Sequence, residues 1–289
     1  MIIVKIYGGM ANQLFQYAAG YALALHHTVP LKIDIRYFQE NNNDTKRSFA
    51  LDQFSIDYEI ASQEEIDQVF KFRFIDYAWN KILPFSKKKF YGEKKPGFNE
   101  SFFDLPGNIY LRGYFQSELY FINCKQSLLE QFILKTAQFP QLKSLAATMS
   151  NSQAVALHIR LGDYLNPTLS SIMAPFDLHY YKKAIEYFQQ NLIHPTFYVF
   201  SDEIQFAKEL LKVEADIIFV DAQMTKNATE DFYLMQSCQH QIIANSTFSW
   251  WAAYLNQNVN KIVVAPQKWY KAHFGDATHL YPKNWIVIG

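Results

Sequence analysis

The sequence predicts an α/β protein of two βα-rich halves, each built on a parallel sheet, and three observations lead there. Its strand-like runs are near-continuously apolar, as strands covered on both faces require. Segments of helical periodicity separate those runs, the pattern of parallel strands joined by crossover helices. At 289 residues the chain can bury two ordinary cores. The small polar stretch ATMSNSQ at 147–153 suggests the boundary, giving expected domains of 1–150 and 151–289.

The elements follow in order. Ile2 to Tyr7 is a β-branched run ending in Gly8-Gly9, after which Leu14, Phe15, Ala18, Ala22 and Leu25 recur at helical spacing. Val29 to Ile35 reads as a second strand, 40–47 (ENNNDTKR) as a loop and 62–80 as a helix. The basic run KKKFYGEKKPG at 87–97 reads as a solvated surface loop. Asn108 to Phe115 is strand-like, and Ser117 can cap a helix through ELYFINCKQSLLEQFI. The second half is more regular. Strands are expected at 154–159, 196–200, 216–220, 241–244 and 260–265, with helices at 179–191, 203–212, 229–239 and 247–256.

Composition narrows the function. Lys plus Arg and Asp plus Glu both number 27, so no global field favours a polyanion, and nucleic acid is not an expected partner. Cys124 and Cys238 fall in amphipathic segments and are expected as buried free thiols, which suits a reducing compartment. The N-terminus reads as a strand rather than a secretion signal, and no run is apolar enough to span a bilayer, so a cytoplasmic protein is expected. The Asn-x-Ser/Thr triplets at Asn99, Asn227 and Asn245 are accordingly not read as sugar sites.

In parallel sheets ligands bind beyond the carboxyl ends of the strands. Four such ends in the second half are polar: HIRLGD (158–163), FSDE (200–203), VDAQ (220–223) and ANSTFSWW (244–251). Asn245, Ser246 and Thr247 stand where a strand becomes a helix, offering backbone N–H groups and hydroxyl caps to an anion. Arg160 supplies the opposing cation, its planar fork matched to phosphate oxygens. The Rossmann glycine fingerprint, the Walker loop, His-Glu-x-x-His and Asp-x-Asp are all missing from the sequence, so oxidoreductases, P-loop enzymes and metal-clamped transferases lose ground.

Five blocks carry a more specific resemblance: YGGMANQLFQYAAGYALA (7–24), LRGYFQSELYF (111–121), HIRLGDY (158–164), FSDE (200–203) and DFYLMQSCQHQIIANSTFSWW (231–251). In this order they resemble the bacterial α-1,2-fucosyltransferases of glycosyltransferase family 11. The resemblance implies a GT-B architecture, two Rossmann-like domains facing a central cleft. It implies inverting transfer of L-fucose from GDP-fucose to the 2-hydroxyl of a terminal galactose, with no metal and no cofactor. Residues 1–150 would serve the acceptor and 151–289 the GDP-sugar. By similarity Arg160 stabilises the departing GDP. His158 and Asp163 join it as catalytic candidates. Ser201 and Asp202 lie near the nucleoside, while Asn245, Ser246, Thr247, Phe248 and Ser249 complete the donor site. Gly8, Gly9, Asn12 and Gln13 approach from the acceptor side.

Leu161 departs from the family pattern, which has a second arginine there. If it faces away from Arg160 it can simply pack. Asp34, Glu118 and Asp231 are further carboxylates in candidate blocks for the general base, and one of Trp250 and Trp251 at most can approach the donor. The acceptor implied is a galactose-ended surface-glycan precursor, lipopolysaccharide, O-antigen or capsule, whose lipid link would bring the protein into peripheral contact with the inner membrane. Two alternatives stay open: a transferase for another GDP-sugar, and a non-catalytic nucleotide or glycan binder.

Overall fold

The structure, a computed structural model, describes residues 1–39, 47–162, 171–271 and 279–289. The loop expected at 40–47 falls, apart from Arg47, outside the described residues. The chain divides into two compact units, Met1–Leu134 and Lys135–Gly289.

The first unit holds five parallel strands, β1 (Ile2–Lys5), β2 (Leu31–Asp34), β3 (Glu59–Ile60), β4 (Phe90–Gly92) and β5 (Ile109–Arg112), in the order β3-β2-β1-β5-β4. Its helices are α1 (Met10–His27), α2 (Gln63–Val69), α3 (Phe74–Ile82) and α4 (Lys125–Gln131). Ile2, Ile3 and Val4 of the central β1 are wholly buried, as an apolar run in the middle of a covered sheet must be. Helix α1 ends where Thr28 turns left-handed (φ 53°) and returns its N–H to the carbonyls of Ala24 and Leu25.

The second unit opens with α5 (Lys143–Ser150). Among the described residues its six parallel strands are β6 (Ala154–Ile159), β7 (Thr196–Ser201), β8 (Asp216–Phe219), β9 (His240–Ile242), β10 (Val263–Pro266) and β11 (Ile286–Ile288), ordered β11-β10-β9-β6-β7-β8. Helices α6 (Leu178–Asn191), α7 (Ile204–Leu210), α8 (Ala228–Ser237) and α9 (Thr247–Leu255) also belong to it. Every residue of β6 is buried, and its apolar side chains join those of α6 and β7 in the core of this unit.

Several boundaries differ from those expected. The units part at 134/135 rather than 150/151, because α5 packs on α8 of the second unit. The helix expected over 62–80 is two helices interrupted at Phe70–Arg73. Phe70 stacks on Phe90 at 5.1 Å and Phe72 meets Tyr110 at 4.7 Å, so both rings turn inward at an extended, non-helical spacing. Phe72 accordingly takes a left-handed φ of 57°. The basic run at 87–97 is not all loop, since β4 pairs with β5 within it. Ser117 does cap, but a single 3-10 turn, because the adjacent rings of Tyr120 and Phe121 are both buried before α4 begins. The short strands β3 and β11 were not anticipated. Cys124 and Cys238 are buried free thiols, and burial pushes both up in pKa.

Candidate active site

The chain leaves β6 for β7 and β8 on one side of the second sheet and returns to β9 on the other. The order therefore reverses between β6 and β9, and an open α/β sheet offers its ligand crevice at such a switch. The pairing Val155↔His240, Ala156↔Gln241, Leu157↔Ile242 brings the residues after the two strands to the same edge. Those residues are Arg160 after β6 and Asn245 and Ser246 after β9. The His158 ring lies 5.7 Å from that of Phe248, in the first turn of α9, which fixes the two loops side by side.

Arg160 is held from the next strand. Its Nη1 lies 3.0 Å from Oδ2 of Asp202, just past β7, and that carboxylate also accepts the N–H of Leu161 (2.9 Å) and of Gly162 (2.8 Å). A Cβ on Gly162 would stand 2.5 Å from the same Oδ2, so glycine is what lets Asp202 close on the loop. Asp202 thus braces the arginine loop with both oxygens. Ser201 accepts the N–H of Glu203 at 3.1 Å and shapes the same turn. Leu161 is buried in the core of this unit, where it packs as its position beside Arg160 suggested.

Helix α9 begins at Ser246, whose Oγ accepts the N–H of Phe248 at 3.3 Å. Asn245 donates through Nδ2 to the Ala174 carbonyl at 2.9 Å and lines a cavity of about 240 Å³ with Asp177, Tyr180, Gln267 and Lys268. Thr247 and Phe248 are half-buried at the edge. Ser249 is not at the surface: it is 0% exposed, and its hydroxyl bonds Ala244 and Ser246 of the preceding loop. The expected donor contact from Ser249 therefore becomes a brace for that loop. Trp250 and Trp251 are both fully buried, so neither ring is offered to a sugar. His158 is 5% exposed beneath the edge, and its carbonyl accepts the Tyr181 hydroxyl at 3.1 Å. Asp163 lies outside the described residues.

The corresponding edge of the first unit has another chemistry. Gly8 takes φ 76°, a left-handed turn closed to most side chains, and Gly9 starts α1 with open space around it. Asn12 stays half-buried and accepts the Gln116 amide at 3.0 Å. Gln13 is instead fully buried, its amide donating to the carbonyls of Gly8 (3.0 Å) and Ser48 (2.9 Å) and accepting from Ala50 N–H (2.9 Å). It shapes the glycine turn from behind rather than reaching outward. Three tyrosines gather beside that turn: Tyr7 lies 6.0 Å from Tyr37 and 5.0 Å from Tyr114, which is 42% exposed. Their grouping went unnoticed in the sequence, although Tyr7, Tyr114 and Gln116 sit in two of the blocks singled out.

The remaining carboxylates are sorted by their partners. Asp34 is 1% exposed, accepting Arg36 Nε at 2.9 Å, Arg36 Nη2 at 2.7 Å and the Tyr110 hydroxyl at 2.6 Å. Burial pushes its carboxyl up, but these partners hold it below the usual range, and both oxygens are occupied by Arg36 and Tyr110. Glu118 is likewise buried. Asp231, in the first turn of α8, is raised by burial and by neighbouring Glu230 against a bond from Thr225. Among the described residues, no three His, Cys, Asp or Glu side chains are grouped to hold a metal ion.

The sequence pattern described as "Glycosyl transferase family 11" matches residues 1–289. Two Escherichia coli proteins are each 31% identical to the chain: an alpha-1,2-colitosyltransferase, covering 100% of this chain and 99% of the relative, and the O-antigen biosynthesis glycosyltransferase WbnK, covering 97% and 98%. The galactoside 2-alpha-L-fucosyltransferase SEC1 of Bos taurus is 28% identical over 54% of this chain and 45% of its own. Among solved structures, a mutant of Arabidopsis thaliana FUT1 in complex with GDP aligns over 97% of this chain and 74% of that one, with TM-score 0.55 and 12% identity. The fucosyltransferase NodZ from Bradyrhizobium aligns over 87% and 91%, with TM-score 0.51 and 14% identity. At such identities the likeness concerns the fold, which is the expected GT-B class of two parallel-sheet α/β domains.

Proposed function

This chain belongs to glycosyl transferase family 11, and from that premise we infer that it is a galactoside α-1,2-fucosyltransferase using GDP-fucose. The observation that carries the donor reading is the placement of Arg160, after β6, and of the amino end of α9, after β9, along one edge at the β6/β9 switch point. A sugar leaving from GDP leaves charge on the β-phosphate. A guanidinium fixed by Asp202 and the first N–H groups of a helix meet that charge without reorganising as it develops. The galactose 2-hydroxyl attacks the anomeric carbon from the opposite face, giving up its proton to a general base, so the configuration inverts as the bond to GDP breaks and GDP departs. In this reading phosphate charge is met by protein groups, and a metal is not required.

The second unit takes GDP-fucose, through Arg160, Asn245, Ser246, Thr247 and Phe248 at its edge. The first takes the acceptor. Tyr7, Tyr37 and Tyr114 offer ring faces suited to the apolar face of galactose, and the amides of Asn12 and Gln116 suit its hydroxyls. The name of WbnK, an O-antigen biosynthesis glycosyltransferase, supports an acceptor in surface-glycan assembly, and a lipid-linked acceptor would bring the protein to the cytoplasmic face of a membrane.

A second donor is favoured by one observation, the full-length similarity to an α-1,2-colitosyltransferase. Colitose is L-fucose without its 3-hydroxyl, and a pocket that does not bond that hydroxyl would take either sugar. The test is to incubate the protein with GDP-fucose and lactose in the presence of EDTA and to determine the product linkage by NMR. An α-1,2-linked fucose is expected. Transfer from GDP-colitose but not from GDP-fucose would replace the donor, and transfer only after magnesium or manganese is restored would overturn metal independence.

A further inference from the structure

Helix α3 is built inside out. At 100° per residue, Phe74, Ile75, Ala78, Trp79 and Ile82 form one continuous stripe, and all five face solvent. Phe74 is 90% exposed, Trp79 61% and Ile82 71%. The residue facing the protein is instead Asn80. Its side chain accepts the N–H groups of Lys89 (2.8 Å) and Phe90 (3.0 Å) and donates to the Phe90 carbonyl (2.8 Å). Tyr77, beside it, meets Phe70 at 5.0 Å and Phe90 at 5.2 Å. The helix is therefore anchored through an amide and one ring, with its most apolar surface turned away from the core.

The same amide clamps the basic run to the helix. Lys88 reinforces the clamp by donating from Nζ to the Asn80 carbonyl at 2.9 Å. Between residues 71 and 95 there are eight Lys and Arg residues against two acids, in a chain whose net charge is zero. Both acids are spent internally: Asp76 pairs with Arg73 at 2.7 Å, and Glu93 accepts the N–H groups of Tyr114 and Phe115. Lys81, Lys87, Lys89, Lys94 and Lys95 are exposed.

We propose that α3 and this basic run form a peripheral docking face for an anionic phospholipid bilayer. An exposed stripe with a tryptophan inserts shallowly at the level of the headgroups, and lysines beside it are drawn to anionic lipid. The charge argues against a second copy as the occupant, since apposing two such faces would set like charges together. No helix among the described residues is long and apolar enough to cross a membrane, and docking on the surface needs none. The inference deepens the reading of a membrane-borne acceptor, yet vesicle binding is measured without donor or acceptor, so either can fail alone.

The experiment is sedimentation of the full chain with vesicles of phosphatidylglycerol and phosphatidylethanolamine, and separately of phosphatidylcholine, at low and high salt. Preferential binding to the anionic vesicles, weakened by salt, is expected. Combining Phe74→Ser, Trp79→Ser and Ile82→Ser should weaken binding about 100-fold. Combining Lys87→Glu, Lys94→Glu and Lys95→Glu should cost at least about tenfold and remove the lipid preference. Both variants should keep wild-type melting and wild-type transfer to lactose. Equal binding to the two vesicle types, or undiminished binding by the serine variant, would overturn the proposal. So would a wild-type dimer that ignores vesicles and is made monomeric by the serine variant, which would identify α3 as a subunit interface.

Discussion

At the carboxyl edge of the first sheet, Tyr7, Tyr37 and Tyr114 gather beside Asn12 and Gln116, whereas the same edge of the second carries Arg160, Asp202 and the amino end of α9. Both edges arise in the same way, since parallel strands each feeding a helix collect their loops on one side. A glycine also lies in each turn. Gly8 supplies a left-handed bend, and Gly162 admits the carboxylate that steadies Arg160. The difference lies in how the polar groups are spent. The first edge spends Gln13 inward and leaves rings and amides outward, suited to an uncharged sugar. The second spends Asp202 and Ser249 inward and leaves a cation and a helix end, suited to phosphate. On the reading proposed above, one architecture serves two ligand chemistries by changing only the residues just past its strands.

The strongest way to break this contrast is Arg160→Ala, which should lower kcat about 100-fold to 1000-fold at saturating lactose. Arg160→Lys should restore only part, because an ammonium cannot reproduce the planar fork. A near-normal kcat in initial-rate assays would remove the charge role from the second edge. Asp34→Asn tests instead whether the first unit's buried carboxylate is structural. Losing it should cost about 1.5–3 kcal/mol in urea unfolding, the scale of hydrogen bonds to a charged group, with little change in GDP affinity. The pH dependence has a definite sign. The folded-state pKa of Asp34 lies below the usual range, so its stabilisation is complete above about pH 4 and is lost as pH falls through the lower folded value. The gap between wild type and variant should therefore close only in strong acid.

Smaller effects sharpen the contrast. Gly162→Ala would set a Cβ against Asp202 and loosen Arg160, so calorimetry should find GDP bound about tenfold more weakly. Tyr114→Ala should raise the acceptor KM about three-fold to tenfold and leave the GDP Kd unchanged. An equal effect of either variant on both substrates would mean that the two edges do not divide the labour.

Much of this site was legible in residue order. Buried strands are local apolar runs, and the polar residues that close them stand out against that background, so HIRLGD and ANSTFS could be found without coordinates. Other roles were misjudged because a polar residue looks alike whether it faces a ligand or a backbone. Gln13 and Ser249 seemed available, but their partners at Ser48, Ala50 and Ala244 bury them. For Asp202, read for a nucleoside contact, residue order gave no sign of its bonds to a loop some 40 residues earlier in the chain. Helix α3 lay within the single helix expected over 62–80, and a helical reading does not tell which side meets solvent.

The sequence by itself determined two parallel α/β halves, the family and the loops that carry chemistry, since strand burial, helix capping and ordered motifs are written in short windows. Only the tertiary structure decided that β6 lies between β7 and β9, that the loops carrying Arg160 and the amino end of α9 therefore share one edge, and that α3 turns its apolar face outward. These are matters of which surfaces cover which, and covering is settled by contacts between residues far apart in the chain that no local pattern records.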